Sequence, residues 1–213
     1  AGLRCLWARA KPRGLALLGS EFPAGTGPRS HGRGIEGNST MEPPPILDPD
    51  QQHAVDLVLH GSNVFITGKA GSGKSLVIGR LREALPETAI CLSSTGMAAR
   101  HIGGATIHSF FPFPPTFLPH GYVAELRFDQ QEVLNLARTF IIDEVSMVRS
   151  DVLAAIDATL RHYARPGLRE VPFGGKQIVA VGDFFQLAPV VVGMKLRLDL
   201  DFEHGGYLAF ESP

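Results

Sequence analysis

The sequence predicts an α/β protein in which a parallel sheet is covered by helices on both faces and carries a phosphate-binding loop. Three observations lead there. From residue 46 onward, short apolar runs alternate with stretches of helical periodicity, the pattern of successive βα units. The octapeptide Gly68-Lys69-Ala70-Gly71-Ser72-Gly73-Lys74-Ser75 fits G-x-x-x-x-G-K-[ST] at every fixed position, between a strand-like and a helix-like stretch. A second apolar run ends in an acidic pair, Asp143-Glu144, at the strand end where ligands gather in open α/β sheets.

Residues 1–45 read as a disordered arm. Through residue 46 the chain holds eight Gly and six Pro with little apolar periodicity, a composition that cannot bury enough surface to fold. The first twenty residues carry Arg4, Arg9, Lys11 and Arg13 and no acid before Glu21. They resemble an organelle transit peptide, and the expected compartment is nucleus or mitochondrion. A plain arm, or translated sequence upstream of a start at Met41, reads equally well. Residues 46–213 form the expected folded domain. Pro49-Asp50 starts a helix, with Ala54, Val55, Val58 and Leu59 at helical spacing. Asn63 to Thr67 is a short buried strand, followed by the loop and a helix over 74–85. A strand over 88–93 leads to a helix near 96–102, then a proline- and phenylalanine-rich loop from Phe111 to His120. A helix near 129–137, a strand over 139–143, a helix over 150–164 and a strand over 177–182 complete the alternation. No internal repeat is visible.

The chemistry follows from residue types. Glycines let backbone N–H groups ring a phosphate, and the helix that follows presents its positive end to the same anion. Lys74 is placed to reach the β- and γ-phosphates of ATP and the Ser75 hydroxyl to hold a magnesium ion. Asp143 is a second magnesium ligand, directly or through water, and Glu144 is placed to polarise the attacking water. Two acids in succession favour a nucleotide-hydrolysing motor over small kinases and GTPases. The plain alternatives are a glycine-rich turn and a solvent-exposed acidic pair.

Bulk composition excludes some classes. Of 213 residues, 44% are hydrophobic and the formal net charge is -1. Residues 1–41 hold six Lys/Arg and two Asp/Glu, so the remainder is mildly acidic, with fourteen and nineteen. No global basic field marks a nucleic-acid binder, although a single-strand channel needs only a local groove. Cys5 and Cys91 are too few for a disulfide framework, and Cys91 reads as a reduced core residue. No apolar run reaches the roughly 18 residues of a membrane span, so no membrane partner is expected.

Four longer stretches share one family pattern. LDPDQQHAVDLVLHGSNVFITG precedes the phosphate loop, STGMAARHIGGATIHSFF runs from Ser94 to Phe111, IIDEVSMV contains the acidic pair, and PFGGKQIVAVGDFFQLAPV runs from Pro172 to Val190. With these the chain resembles a superfamily 1B DNA helicase of the RecD/PIF (petite integration frequency) group, matching the first motor lobe from about Leu47 to Phe210. The resemblance implies a RecA-like P-loop NTPase domain and an ATP-dependent 5′-to-3′ helicase acting on single-stranded DNA. It implies that Gln51 contacts the adenine edge and that residues 68–75 cradle the phosphates. Asp143 and Glu144 become metal ligand and general base, and Gln186 senses the γ-phosphate. Thr95, Gly96, His108 and Phe110 lie along the DNA strand.

Simpler roles stand beside these. Gln51 or Gln52 is otherwise an exposed helix residue, His108 a core histidine, and Phe110, Phe111, Phe113 and Phe117 cover for a sheet edge. Phe184 and Phe185 are expected to split, one inward and one outward. Leu187-Ala188-Pro189 replaces the family's usual double proline. The implied second motor lobe, with arginines reaching the γ-phosphate, is absent from this sequence, so a fragment with weak ATP binding and little turnover is expected. The alternatives are a nucleotide-binding regulatory module without unwinding activity, or another phosphate-loop enzyme such as a kinase.

Overall fold

The computed structural model describes residues 4–9, 46–183 and 185–209. Its centre is a six-stranded sheet in the order β1-β2-β6-β5-β3-β4. The strands are β1 (Arg4–Arg9), β2 (Asn63–Thr67), β3 (Ala89–Ser93), β4 (Ala105–Thr106), β5 (Thr139–Asp143) and β6 (Gln177–Gly182). All neighbours pair in parallel except β1, which lies antiparallel against β2. Residues 4–9 fall within the stretch expected to be disordered. Their strand satisfies the outer backbone groups of β2, which a sheet edge otherwise leaves open. The transit-peptide reading and the rest of the arm, 10–45, lie outside the described residues.

Strand alternation assigns the two faces. Phe140 and Ile142 of β5 and Ile178 of β6 face one side, where they pack against α5 (Phe128–Leu136) through Leu134 and α6 (Ser150–His162) through Val152, Ala155, Ile156 and Leu160. Ile141, Val179, Val181, Val64 and Ile66 face the other, against α1 (Pro49–Leu59) and α2 (Lys74–Ala84). The continuous apolar runs of β5 and β6 are thus explained by burial on both faces. Cys91 is a buried free thiol of that second core, pushed above its ordinary pKa by burial. The loop from Phe111 to His120 is part of the core, with Phe111 and Leu118 fully buried. Short helices α3 (Gly96–His101) and α4 (Ile107–Phe110) flank β4, and α7 (Met194–His204) follows the last strand. No helix among the described residues is long and apolar enough to cross a membrane.

Gln177 fastens the amino end of the sheet. Its amide donates to Val58 O and Ser62 O at 2.8 and 2.7 Å and accepts from Thr139 Oγ1 at 2.8 Å. One side chain therefore joins α1, the turn before β2, and β5. This leaves the opposite, carboxyl end of the strands free for loops.

Candidate nucleotide and nucleic-acid site

Four loops meet at the carboxyl ends of adjacent strands. The phosphate loop leaves β2, Asp183 to Gln186 leave β6, Asp143-Glu144 end β5, and Ser94-Thr95 leave β3. Asp143 lies opposite Ser93 in register. By alternation Asp143, Ser93 and Asp183 share the sheet face of Ile141, Cys91 and Val181, the face carrying α2. The carboxylates are therefore directed to the side where the phosphate loop enters its helix.

The loop has the backbone that phosphate binding requires. Gly71 and Gly73 have φ of 77° and 79°, a region only glycine enters at little cost. Gly73 is the N-cap of α2, whose first residues are Lys74 and Ser75. Lys74 Nζ donates to Gly68 O at 2.6 Å and Lys69 O at 3.1 Å, so its charge is held over the loop, while Ser75 is exposed. Gln51 is 7% exposed, in contrast to the exposed-helix reading. Its Nε2 donates to Ser72 O at 3.1 Å, and Gln52 instead faces solvent and donates to Asp56.

Asp143 is nearly buried, and one carboxylate oxygen accepts from the Glu144 N–H at 2.9 Å. Burial raises its pKa; that amide and the Lys74 charge pull the other way. The ionised form thus lacks solvation that a cation would supply. Asp143 and the Ser75 hydroxyl are hard oxygen donors, which fits magnesium. No cluster of three or more His, Cys, Asp or Glu side chains suited to a metal occurs among the described residues, so water and phosphate oxygens would complete its shell. Glu144 has φ 53° and ψ 41°. This left-handed conformation is costly for a residue with a Cβ, and such strain gathers at functional sites. The turn that follows packs tightly on β6: a Cβ on Gly182 would sit 3.0 Å from Val145 Cγ1 and 3.1 Å from Ser146 N.

Gln186 Nε2 donates to Asp183 Oδ2 at 2.8 Å, and the Phe185 N–H donates to Oδ1 at 3.0 Å. The Phe185 amide, then Gln186, hold the Asp183 pKa below the ordinary carboxylate range, aided by the charges of Lys74 and Lys69. The sequence reading passed over Asp183, although it follows β6 as Asp143 closes β5. It bonds Gln186 directly and lies within electrostatic reach of Lys74. Phe185 is 99% exposed; Phe184 lies outside the described residues.

A cavity of about 260 Å³ adjoins this edge, lined by Ser94, Thr95, His108, Met147, Arg149 and Val190 among others. Thr95 caps α3 by accepting from Ala98 N at 3.3 Å, and Gly96 opens that helix with free space around its Cα. The His108 pKa is lowered, first by burial and then by the Arg149 charge. His108 lines the groove, where its ring is partly desolvated while the residue as a whole stays open to solvent, which is not a core position. Phe110 is half-buried at the sheet edge. Its ring stands edge-on to Phe111 and Phe140, with centroids 4.9 and 6.0 Å away, and packs against the core. Those contacts match the sheet-edge cover weighed for this residue beside the DNA strand. Arg149 was not foreseen in the groove; its partner Asp151 lies on α6. Four buried side-chain polar atoms among the described residues lack a hydrogen-bond partner, and three of them, the hydroxyls of Ser72, Ser93 and Ser94, belong to this edge.

Residues 46–200 match the family model described as PIF1-like helicase. The human ATP-dependent DNA helicase PIF1 is 38% identical over 153 residues, covering 70% of this chain and 23% of its own length. Among solved structures, a Bacteroides Pif1 bound to ssDNA superposes with a TM-score of 0.72 at 37% identity, covering 78% of this chain and 38% of that one. The same Bacteroides helicase in complex with ADP-AlF3 and ssDNA gives 0.72 at 36% identity, covering 78% and 39%. The chain thus spans about a quarter of the curated human relative it matches.

Proposed function

The chain belongs to the PIF1-like helicase family, and from that premise we propose that residues 46–213 are the first motor lobe of an ATP-dependent DNA helicase moving 5′ to 3′ on single strands. The observation that supports this most is the meeting of Lys74, Asp143-Glu144 and the Asp183–Gln186 pair at the ends of three adjacent strands, beside a groove. Residues 68–75 take the phosphates of ATP through backbone N–H groups, and Lys74 reaches the β- and γ-oxygens. Ser75 and Asp143 would hold a magnesium ion, which would supply charge neutralisation on the phosphates. Glu144 orients and deprotonates the attacking water. Gln186, braced by Asp183, registers loss of the γ-phosphate and passes it to the groove wall. Thr95, Gly96, His108 and Arg149 meet the DNA strand there through hydroxyl, backbone amide and charge.

An arginine supplied across a cleft is worth about 10³ to 10⁵ in rate in phosphoryl transfer. The chain alone is therefore expected to bind ATP weakly and turn it over little. The basic, acid-poor first twenty residues support a nuclear or mitochondrial location. Binding of a fluorescent ATP analogue with magnesium, compared between wild type and Lys74→Ala, tests the site. Equal binding by both proteins would remove the phosphate loop from the account. Brisk DNA-stimulated hydrolysis by these 213 residues would show that no second lobe is needed.

A further inference from the structure

Ser93 closes β3 with its hydroxyl sealed inside the protein. The residue is fully buried, and its Oγ has no hydrogen-bond partner among the described residues. An unpartnered buried hydroxyl is a standing cost to a fold, rare enough in native proteins to need an explanation. β3 is paired along both edges at this point. The register partners of Ser93 are Thr106 of β4 on one side and Asp143 of β5 on the other. The surrounding backbone groups are therefore spent on the ladders, and side chains in register share one face of the sheet.

Thr106 is committed elsewhere. Its Oγ1 donates to Ser109 Oγ at 2.9 Å and accepts from the Ser109 N–H at 3.1 Å, which caps α4. Asp143 is only half committed: Oδ1 accepts from the Glu144 N–H at 2.9 Å, and Oδ2 accepts no hydrogen bond from a described residue. A buried donor thus stands beside an open acceptor, one strand spacing away, about 4.8 Å between backbones. A serine hydroxyl and an aspartate carboxylate together span that gap after a turn about the serine Cα–Cβ bond. We infer that Ser93 is a positioning residue that donates to Asp143 Oδ2 and fixes the orientation of this carboxylate for a magnesium ion. This rests on the reading of Asp143 as a magnesium ligand given above. A neutral donor steadies a carboxylate without cancelling its charge, so the remaining lone pairs stay open to a cation. Carboxylates that hold metals are commonly fixed by such a partner behind them. The serine hydroxyl gains its missing partner in the same step.

The test titrates magnesium into the chain with a fluorescent ADP, for wild type, Ser93→Ala, Asp143→Asn and the double variant, and measures each melting temperature without metal. Ser93→Ala removes a hydroxyl that has no partner, so it is expected to melt no lower than wild type. It is expected to bind metal-free ADP as wild type does and to need about tenfold more magnesium for half-saturation, the scale of loss when a ligand's supporting hydrogen bond is removed. In the Asp143→Asn background the same change is expected to add nothing, because Ser93 acts through that carboxylate. Half-saturation of wild type and Ser93→Ala at the same magnesium concentration overturns the inference and leaves the nucleotide site standing. Equal weakening of ADP with and without metal, together with a lower melting temperature, also overturns it and identifies a packing role. A shift as large in the Asp143→Asn background overturns the coupling to Asp143. A wild-type protein whose ADP binding ignores magnesium sinks the magnesium reading, and this inference with it.

Discussion

Replacing Asp151 with alanine should destabilise the domain more than any single change in the nucleotide loops. Asp151 is fully buried at the start of α6, and its carboxylate takes four hydrogen bonds. Two come from Arg149, Nε at 2.9 Å and Nη2 at 2.8 Å; the others come from the amides of Leu118 at 3.0 Å and Val152 at 2.8 Å. Arg149 Nη2 also donates to Thr116 O at 2.8 Å. The pair thus anchors the core loop from Phe111 to His120 onto α6 and holds Arg149 in the groove wall. Breaking a buried pair by removing one partner costs about 3–5 kcal/mol, and the orphaned Leu118 amide alone accounts for about 1–3 kcal/mol. These overlap, and the 15% exposure of the Arg149 side chain lets water recover part. The expected loss is about 3–4 kcal/mol against a typical domain stability of about 5–15 kcal/mol. At a urea slope near 2 kcal/mol/M the midpoint falls by about 1.5–2 M. Adding Arg149→Met should cost less than the sum of the two single changes, because no uncompensated charge remains. A midpoint drop under about 0.5 M at unchanged slope for Asp151→Ala would refute the reasoning.

Three further outcomes are expected. Because burial raises the Asp143 pKa, the folded state keeps the proton where the unfolded state has lost it, so this group's contribution to stability falls as pH rises from about 4 through the raised value. Asp143→Asn should therefore melt higher than wild type at pH 7 without metal and converge with it near pH 3; a lower melting point at pH 7 contradicts the burial cost. In a two-lobed protein carrying this lobe, Glu144→Gln should keep ATP affinity and slow hydrolysis about 10²- to 10⁴-fold, and an unchanged single-turnover rate would exclude Glu144 as the base. Phe110→Ala should cost about 2 kcal/mol of stability, less than a fully buried phenylalanine, with single-strand affinity within about twofold. A binding loss of about 1–3 kcal/mol in a fully stable variant would return Phe110 to the DNA strand.

What the sequence made legible has a common cause. The bounds of β2, β5 and β6 coincide with those read from apolar runs, because strands buried on both faces leave no polar interruption until they end. The phosphate loop and the acidic pair were readable because their chemistry is contiguous. The features missed are long-range or conditional. β1 exists only by pairing with β2. α7 interleaves acids with its apolar positions and is tied in by His204, buried and bonded to Leu118 O at 3.0 Å across 86 residues. Neither periodicity nor motif spacing encodes such contacts.

The same distinction separates the two halves of the site. Lys74, Asp143 and Glu144 are short-range features of a loop and a strand end, and such features are legible in the linear sequence. Their supports, Gln51 beneath the loop, Asp183 behind Gln186, and Gly182 beneath the Glu144 turn, act across strands that adjoin only after folding. Gly182 shows how tightly those supports couple: a methyl there presses on Val145 and Ser146, the two residues after Glu144. Overpacking of that kind costs about 1–3 kcal/mol, and the turn relaxes most easily by releasing the left-handed Glu144. The orientation of the Glu144 carboxylate is therefore set by the missing side chain of a neighbouring strand, a dependence no linear motif records.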